Sequence, residues 1–168
     1  LLAKEAGDHP RAYELIKQAV KRQPNAALLH NNLGAVLESL ERLDEAIRSY
    51  ESALRIQPGY AEAELNMGNA LLRKGRLEEA AQHYERAVAV RPELAEARNN
   101  LGVALRALGR KERAAECFRE ALRLNPDYAD AYVNLGALLF AQGEIAEAER
   151  AFREALRLGV NRAEVAVP

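Results

Sequence analysis

Apolar and polar residues along this chain alternate with the period of an α-helix, in stretches of roughly 14 residues divided by short polar breaks. Over Ala61–Lys74, the residues Leu65, Met67, Ala70 and Leu71 fall at helical spacing; over Leu77–Val90, Ala80, Tyr84, Ala87 and Val88 share one face. Gly75 separates the two stretches, and Gly109, Gly143 and Gly7 hold the matching place elsewhere. Glycine just past a helix end takes the left-handed conformation without a Cβ clash. At the equivalent position Glu41 stands instead, which predicts a slightly strained or loosened turn. Pro58, Pro92 and Pro126 follow the second stretches and stop them by removing a backbone N–H. Asn25 and Asp127 are placed to cap the helices that come next.

The whole pattern recurs. Gly34, Gly68, Gly102 and Gly136 are spaced 34 residues apart. Each is preceded by an apolar residue (Leu33, Met67, Leu101, Leu135), and leucine lies three residues on, at Leu37, Leu71, Leu105 and Leu139. Further columns carry Ala46, Ala80, Ala114 and Ala148; Tyr50, Tyr84, Phe118 and Phe152; and Ala53, Ala87, Ala121 and Ala155. This arrangement closely resembles the tetratricopeptide repeat. The resemblance implies an all-α fold, a right-handed α-solenoid of antiparallel helix pairs. In that frame residues 1–26 are a partial repeat, 27–60, 61–94, 95–128 and 129–162 are full repeats, and 163–168 is a C-terminal tail, all in one continuous solenoid domain. Gly68 and Ala80 are small enough for the paired helices to approach closely, with Tyr84 and its equivalents expected to fill the space between units. A lone helix pair cannot bury both faces, so the stack needs its neighbours.

Departures from the pattern are informative. His30, Glu64, Arg98 and Tyr132 occupy the position where the family often carries tryptophan. Lys111 replaces the apolar Leu43, Leu77 and Ile145, and Gly159–Val160 replaces the proline turn of the other repeats. In the first repeat only Gly7, Ala12, Ile16, Ala19 and Pro24 match, so the chain reads as a piece of a longer protein. Uncovered ends, around Ala12, Ile16 and Ala19 and around Ala151, Ala155 and Leu158, predict end-to-end self-association, with Ala163 to Val167 as partial cover at the second.

Charge and composition narrow the function. The 168 residues hold 24 Lys plus Arg against 25 Asp plus Glu, a net charge of −1 that lacks the basic excess of a nucleic-acid binder. No apolar run approaches the ~20 residues that span a bilayer, so no membrane partner is expected; the longest, around Leu135 to Phe140, is short and flanked by charge. The lone Cys117 forms no intrachain disulfide and reads as a small semi-buried residue; with no leader in view, a cytoplasmic location is expected. His9, His30 and His83 lie at unrelated phases with no metal-ligand spacing. Glu51–Arg55, Glu149–Arg153 and Arg150–Glu154 read as pairs on a solvated convex face. Neither a phosphate loop nor a nucleophile–base pair is present, so no catalytic residue, metal or cofactor is assigned and the chain is not read as an enzyme.

In the family, first helices line the concave face. Carried onto this chain, that face presents Asn32, Asn66, Asn69, Asn100 and Asn134, with Leu65, Leu72, Arg73, Val103, Arg106, Val133 and Phe140. Four of the asparagines stand two residues before the framing glycines. A carboxamide both donates and accepts, so such a column can hold the backbone of an extended peptide, about one asparagine to every three residues. The same column can instead bond within and between repeats and support the stack. It resembles the repeat arm of O-linked N-acetylglucosamine transferase-type proteins. The cationic clamp with which chaperone-adaptor repeats hold a C-terminal carboxylate is missing: Asn31, Leu65, Asn99 and Val133 stand there, beside acidic Glu62, Glu96 and Asp130. The sequence thus points to a protein–protein interaction scaffold with a protein or peptide partner, or to the substrate-recruiting arm of a larger enzyme such as a glycosyltransferase. RNA binding of the base-reading helical-repeat kind is disfavoured by the charge balance.

Overall fold

The structure is a computed structural model that describes residues 9–160. Among these residues there are nine α-helices and no strands. They belong to two compact units, Leu1–Val90 and Arg91–Pro168. Gly7 and Ala163–Val167, to which the repeat pattern assigned roles, lie outside the described residues.

The first unit contains α1 (His9–Arg22), α2 (Ala27–Ser39), α3 (Leu43–Ile56), α4 (Ala61–Arg73) and α5 (Leu77–Val90). Here α1 packs on α2, α2 on α3, α3 on α4 and α4 on α5, and α2 also touches α4. The second unit contains α6 (Ala95–Ala107), α7 (Lys111–Leu124), α8 (Ala129–Ala141) and α9 (Ile145–Arg157). Again each helix packs on the next, and the alternate helices α6 and α8 touch. Pairs run antiparallel: Glu64, early in α4, meets Arg86, late in α5.

Steric fit between glycine and ring fixes each pair. A Cβ placed on Gly34, Gly68, Gly102 or Gly136 would lie 2.4, 2.5, 2.6 or 2.7 Å from the ring of Tyr50, Tyr84, Phe118 or Phe152 respectively. Tyr50, Tyr84 and Phe118 are fully buried by this seating. The aromatic column therefore plugs the interior of its own repeat, which corrects the expectation that it fills the space between units. The missing Cβ lets the ring lie directly on the helix backbone, where dispersion contacts are densest. Around it the core is built mainly of alanine and leucine, from Ala46 and Ala80 to Leu71, Leu105 and Leu139.

The turns follow the glycine pattern. After α4, the Gly75 N–H bonds the Leu72 carbonyl at 2.9 Å and the Arg76 N–H the Leu71 carbonyl at 3.0 Å. This is the doubly bonded closure that requires a left-handed residue. Glu41 adopts it after α2 with φ of 59°, where Gly75 has 73°. Gly159 also adopts it, so α9 ends as the first helices do.

The expected caps are corrected. The helices begin after Ala26 and Tyr128, one residue beyond Asn25 and Asp127, and neither cap is made by a side chain. Main-chain bonds close the turns before these helices: the Ala26 N–H donates to the Gln23 carbonyl and the Tyr128 N–H to the Asn125 carbonyl, both at 3.2 Å. The Asn125 side chain accepts from the Asp127 N–H at 3.1 Å, which tightens the turn rather than the helix.

Candidate functional site

The first helices of each unit carry a set of amide side chains, built in the same way twice. In the first unit Asn31 on α2 is buried, and Asn66 on α4 donates to its Oδ1 at 3.0 Å. In the second unit Asn99 on α6 is buried at 4% exposure, and Asn134 on α8 donates to its Oδ1, again at 3.0 Å. Asn99 also donates to the Asn100 Oδ1 at 3.1 Å. A buried amide left unpaired is costly, so these bonds tie adjacent first helices and fix the side chains that reach the surface.

From the sequence Asn31 and Asn99 were read only as groove positions that lack the cationic clamp, not as members of the binding set. The signal was there: their column reads Asn31, Leu65, Asn99, Val133, with asparagine in alternate repeats. A column that alternates between polar and apolar along one buried seam marks a bond made once per pair of repeats.

The other sequence-derived positions divide by burial. Asn32 is exposed, whereas Asn66, Asn69, Asn100 and Asn134 are half-buried. Asn69 accepts from the Tyr84 hydroxyl at 2.8 Å, which ties it to the core of its own repeat. Leu65 is buried and offers little area to a ligand; it stands in the column of Asn31 and Asn99. Leu72, Val103, Arg106 and Val133 are half-buried, and Phe140 is 40% exposed. Arg73 is exposed and pairs with Glu41 at 2.5 Å and Glu38 at 3.6 Å.

In the second unit these residues converge. Glu96, Asn99 and Asn100 from α6, Tyr128 before α8, and Asp130, Val133 and Asn134 from α8 line a recess of about 400 Å³. Burial, reinforced by the charges of Glu96 and Asp130, pushes the Tyr128 phenol up to about 12; a hydrogen bond with Asn99 acts in the opposite sense.

A separate polar cluster occupies the position of the missing tryptophan. Glu64 is buried and accepts from His83 Nδ1 at 2.6 Å and from Arg86 Nε at 3.1 Å. Burial pushes its carboxyl up, but the two hydrogen bonds and their charges outweigh this and hold it below the ordinary 4.5. Cys117, in the column of His83, is half-buried and forms no disulfide. Among the described residues no group of histidine, cysteine and carboxylate side chains could hold a metal ion, and no helix is long and apolar enough to cross a membrane.

Comparison with known proteins decides the family. The tetratricopeptide repeat model matches residues 25–93 and 59–127, and a second model of the same repeat matches 104–161. The chain belongs to the tetratricopeptide repeat family. Its fold is the all-helical repeat solenoid. Repeats of this family are in general non-catalytic scaffolds for contacts with other proteins. No curated protein matches the chain at significance. Many solved structures are similar in fold. PilF of Pseudomonas aeruginosa superposes with a TM-score of 0.90 at 24% identity, over 97% of this chain and 74% of that one. MamA gives 0.85 at 24% identity, over 96% and 95%. YrrB, described as a tetratricopeptide repeat protein with an unusual peptide-binding site, gives 0.79 at 22% identity, over 98% and 84%.

Proposed function

We propose that this tetratricopeptide repeat chain is a protein–protein interaction scaffold whose first helices bind an extended peptide segment by its backbone. The observation that carries this reading is the amide set of the second unit. Asn100 and Asn134 line an open recess, and buried Asn99 bonds both of them. A peptide unit offers one donor and one acceptor, and a carboxamide matches both. Side chains already held in place lose little freedom on binding, so less interaction energy is spent on ordering them. Asn32 and Asn66 offer a second such station in the first unit. Leu72, Val103, Val133 and Phe140 supply apolar contacts, and Arg73 and Arg106 contacts to acidic residues of a ligand. Net hydrogen bonds contribute about 0.5–1.5 kcal/mol each, so affinity is modest and sequence selection loose. The described peptide site of YrrB supports the reading by likeness of fold. Carried further, the chain would be the substrate-recruiting arm of a larger enzyme such as a glycosyltransferase, a form supported by the asparagine column alone.

The test is peptide binding. Peptides selected from a random displayed library are titrated against the wild type, Asn32→Ala, and the double variant Asn100→Ala, Asn134→Ala. Two lost backbone bonds weaken binding about tenfold, and the exposed Asn32 can be removed without touching the stack. If folded variants bind these peptides as the wild type does, the asparagines serve the stack alone and the reading falls.

A further inference from the structure

The recess of the second unit is charged although the chain as a whole is nearly neutral. Its lining includes Glu96 and Asp130 and no basic residue. Both carboxylates are exposed, and they lie in the first turns of α6 and α8. Their field reaches inward, since both act on the phenol of Tyr128. Beneath them the floor is amide, made by buried Asn99 with Asn100 and Asn134, and Val133 adds an apolar wall.

The first unit supplies an internal contrast. The lining positions, moved back by two repeats, read Leu28, Asn31, Asn32, Tyr60, Glu62 and Leu65, with Asn66 last. The amides and the tyrosine are kept, but Leu28, at 57% exposure, stands where Glu96 does. Paired carboxylates are therefore a property of the second unit and not of the amide frame.

We propose that this recess takes a basic side chain, arginine or lysine, from an extended segment lying on the first helices. The apolar stem of that side chain runs along Val133 and the Tyr128 ring, and its cationic head lies between Glu96 and Asp130. Long basic side chains bury their stems on apolar surface while the charge stays at the rim. A guanidinium, with its planar fork of donors, meets two carboxylates and the amide oxygens at once; an ammonium meets them as a point charge. A volume of about 400 Å³ admits such a side chain with part of its backbone. The inference rests on the peptide-binding reading and adds to it the charge of the partner.

A random peptide library displayed on phage is panned on the chain, and an enriched peptide is resynthesised with its basic residue kept, or replaced by norleucine. The expected result is enrichment of one arginine or lysine at a fixed place, and about tenfold weaker binding of the norleucine peptide. Raising the salt concentration narrows that difference. The double variant Glu96→Gln, Asp130→Asn, with its helicity confirmed by circular dichroism, binds both peptides alike. Glu96→Leu alone, which copies the first unit, reduces the preference for the basic peptide. If the double variant still prefers arginine, or if enriched peptides bind in an Asn100- and Asn134-dependent way without a basic residue, this inference is wrong while the peptide reading stands. If no enriched peptide depends on those asparagines, both are wrong.

Discussion

Glu41 is the only non-glycine residue with positive φ among the described residues, at 59°. A side chain in this conformation costs roughly 1–2 kcal/mol against its own carbonyl. Glycine there costs more entropy on folding, which offsets part of the gain. At the equivalent Gly75, Gly109 and Gly143 nothing lies within 4 Å of an added Cβ, so backbone conformation and not crowding sets the preference. Glu41 also accepts from Arg73, but that exposed pair contributes little and Arg73 keeps Glu38. Glu41→Gly is therefore expected to stabilise the chain by about 0.5–1 kcal/mol, a rise of roughly 1–4 °C in melting temperature by calorimetry. A lower melting temperature would show that the ion pair outweighs the strain. This position was legible in the sequence because Gly7, Gly75, Gly109 and Gly143 hold the matching place in the other repeats. Asn31 and Asn99 were not read as buried bridges, because exposure within a helix face depends on how the next helix packs. The aromatic column was assigned to the wrong interface for the same reason: spacing gives the face of a helix, not which neighbour that face meets.

At the scale of the element, α4 and α5 illustrate both sides of that rule. Their limits were readable to within a residue, since Gly75 and Pro92 punctuate the apolar period. The caps expected before α2 and α8 were not, because those helices begin one residue later, after Ala26 and Tyr128. Between α4 and α5, Glu64 replaces a large aromatic with a carboxylate held by His83 and Arg86. The charge has a consequence for acid stability. Its folded-state pKa is lowered from 4.5, so its contribution is complete above 4.5 and is lost as pH falls through the lower folded value. The wild type is expected to lose melting temperature on acidification through that window. Glu64→Gln is less stable at neutral pH, where His83 and Arg86 lose their acceptor charge, and shows a smaller further loss in acid. Parallel acid dependence of wild type and variant, measured by thermal melts across pH, would assign the loss to other carboxylates.

At the scale of the molecule, a repeat chain leaves faces that an ordinary globular domain would cover. The sequence placed such faces at α1 and at α9, and the structure treats the two differently. Ala151 and Ala155 are buried, at 6% and 0% exposure, so the expectation of an uncovered alanine face there is corrected. Helix α1 has no buried residue, with Ala12, Ile16 and Ala19 half-buried and Leu15 at 54% exposure. It packs on α2 along one face, and its remaining apolar side chains gain by contact with a second surface. At roughly 25 cal/mol per Å² of apolar area removed from water, a helix-sized patch gives weak association rather than a permanent dimer. The chain is expected to associate reversibly as concentration rises, with sedimentation coefficients that climb accordingly. Leu15→Lys is expected to hold it monomeric without lowering the melting temperature, because Leu15 contributes little to the fold. A wild type that stays monomeric at high concentration, or a Leu15→Lys variant that associates as before, would remove α1 from the contact. The peptide titrations then gain a control: Leu15 lies on a second helix, so its replacement is expected to leave binding at the first helices unchanged even as self-association is lost.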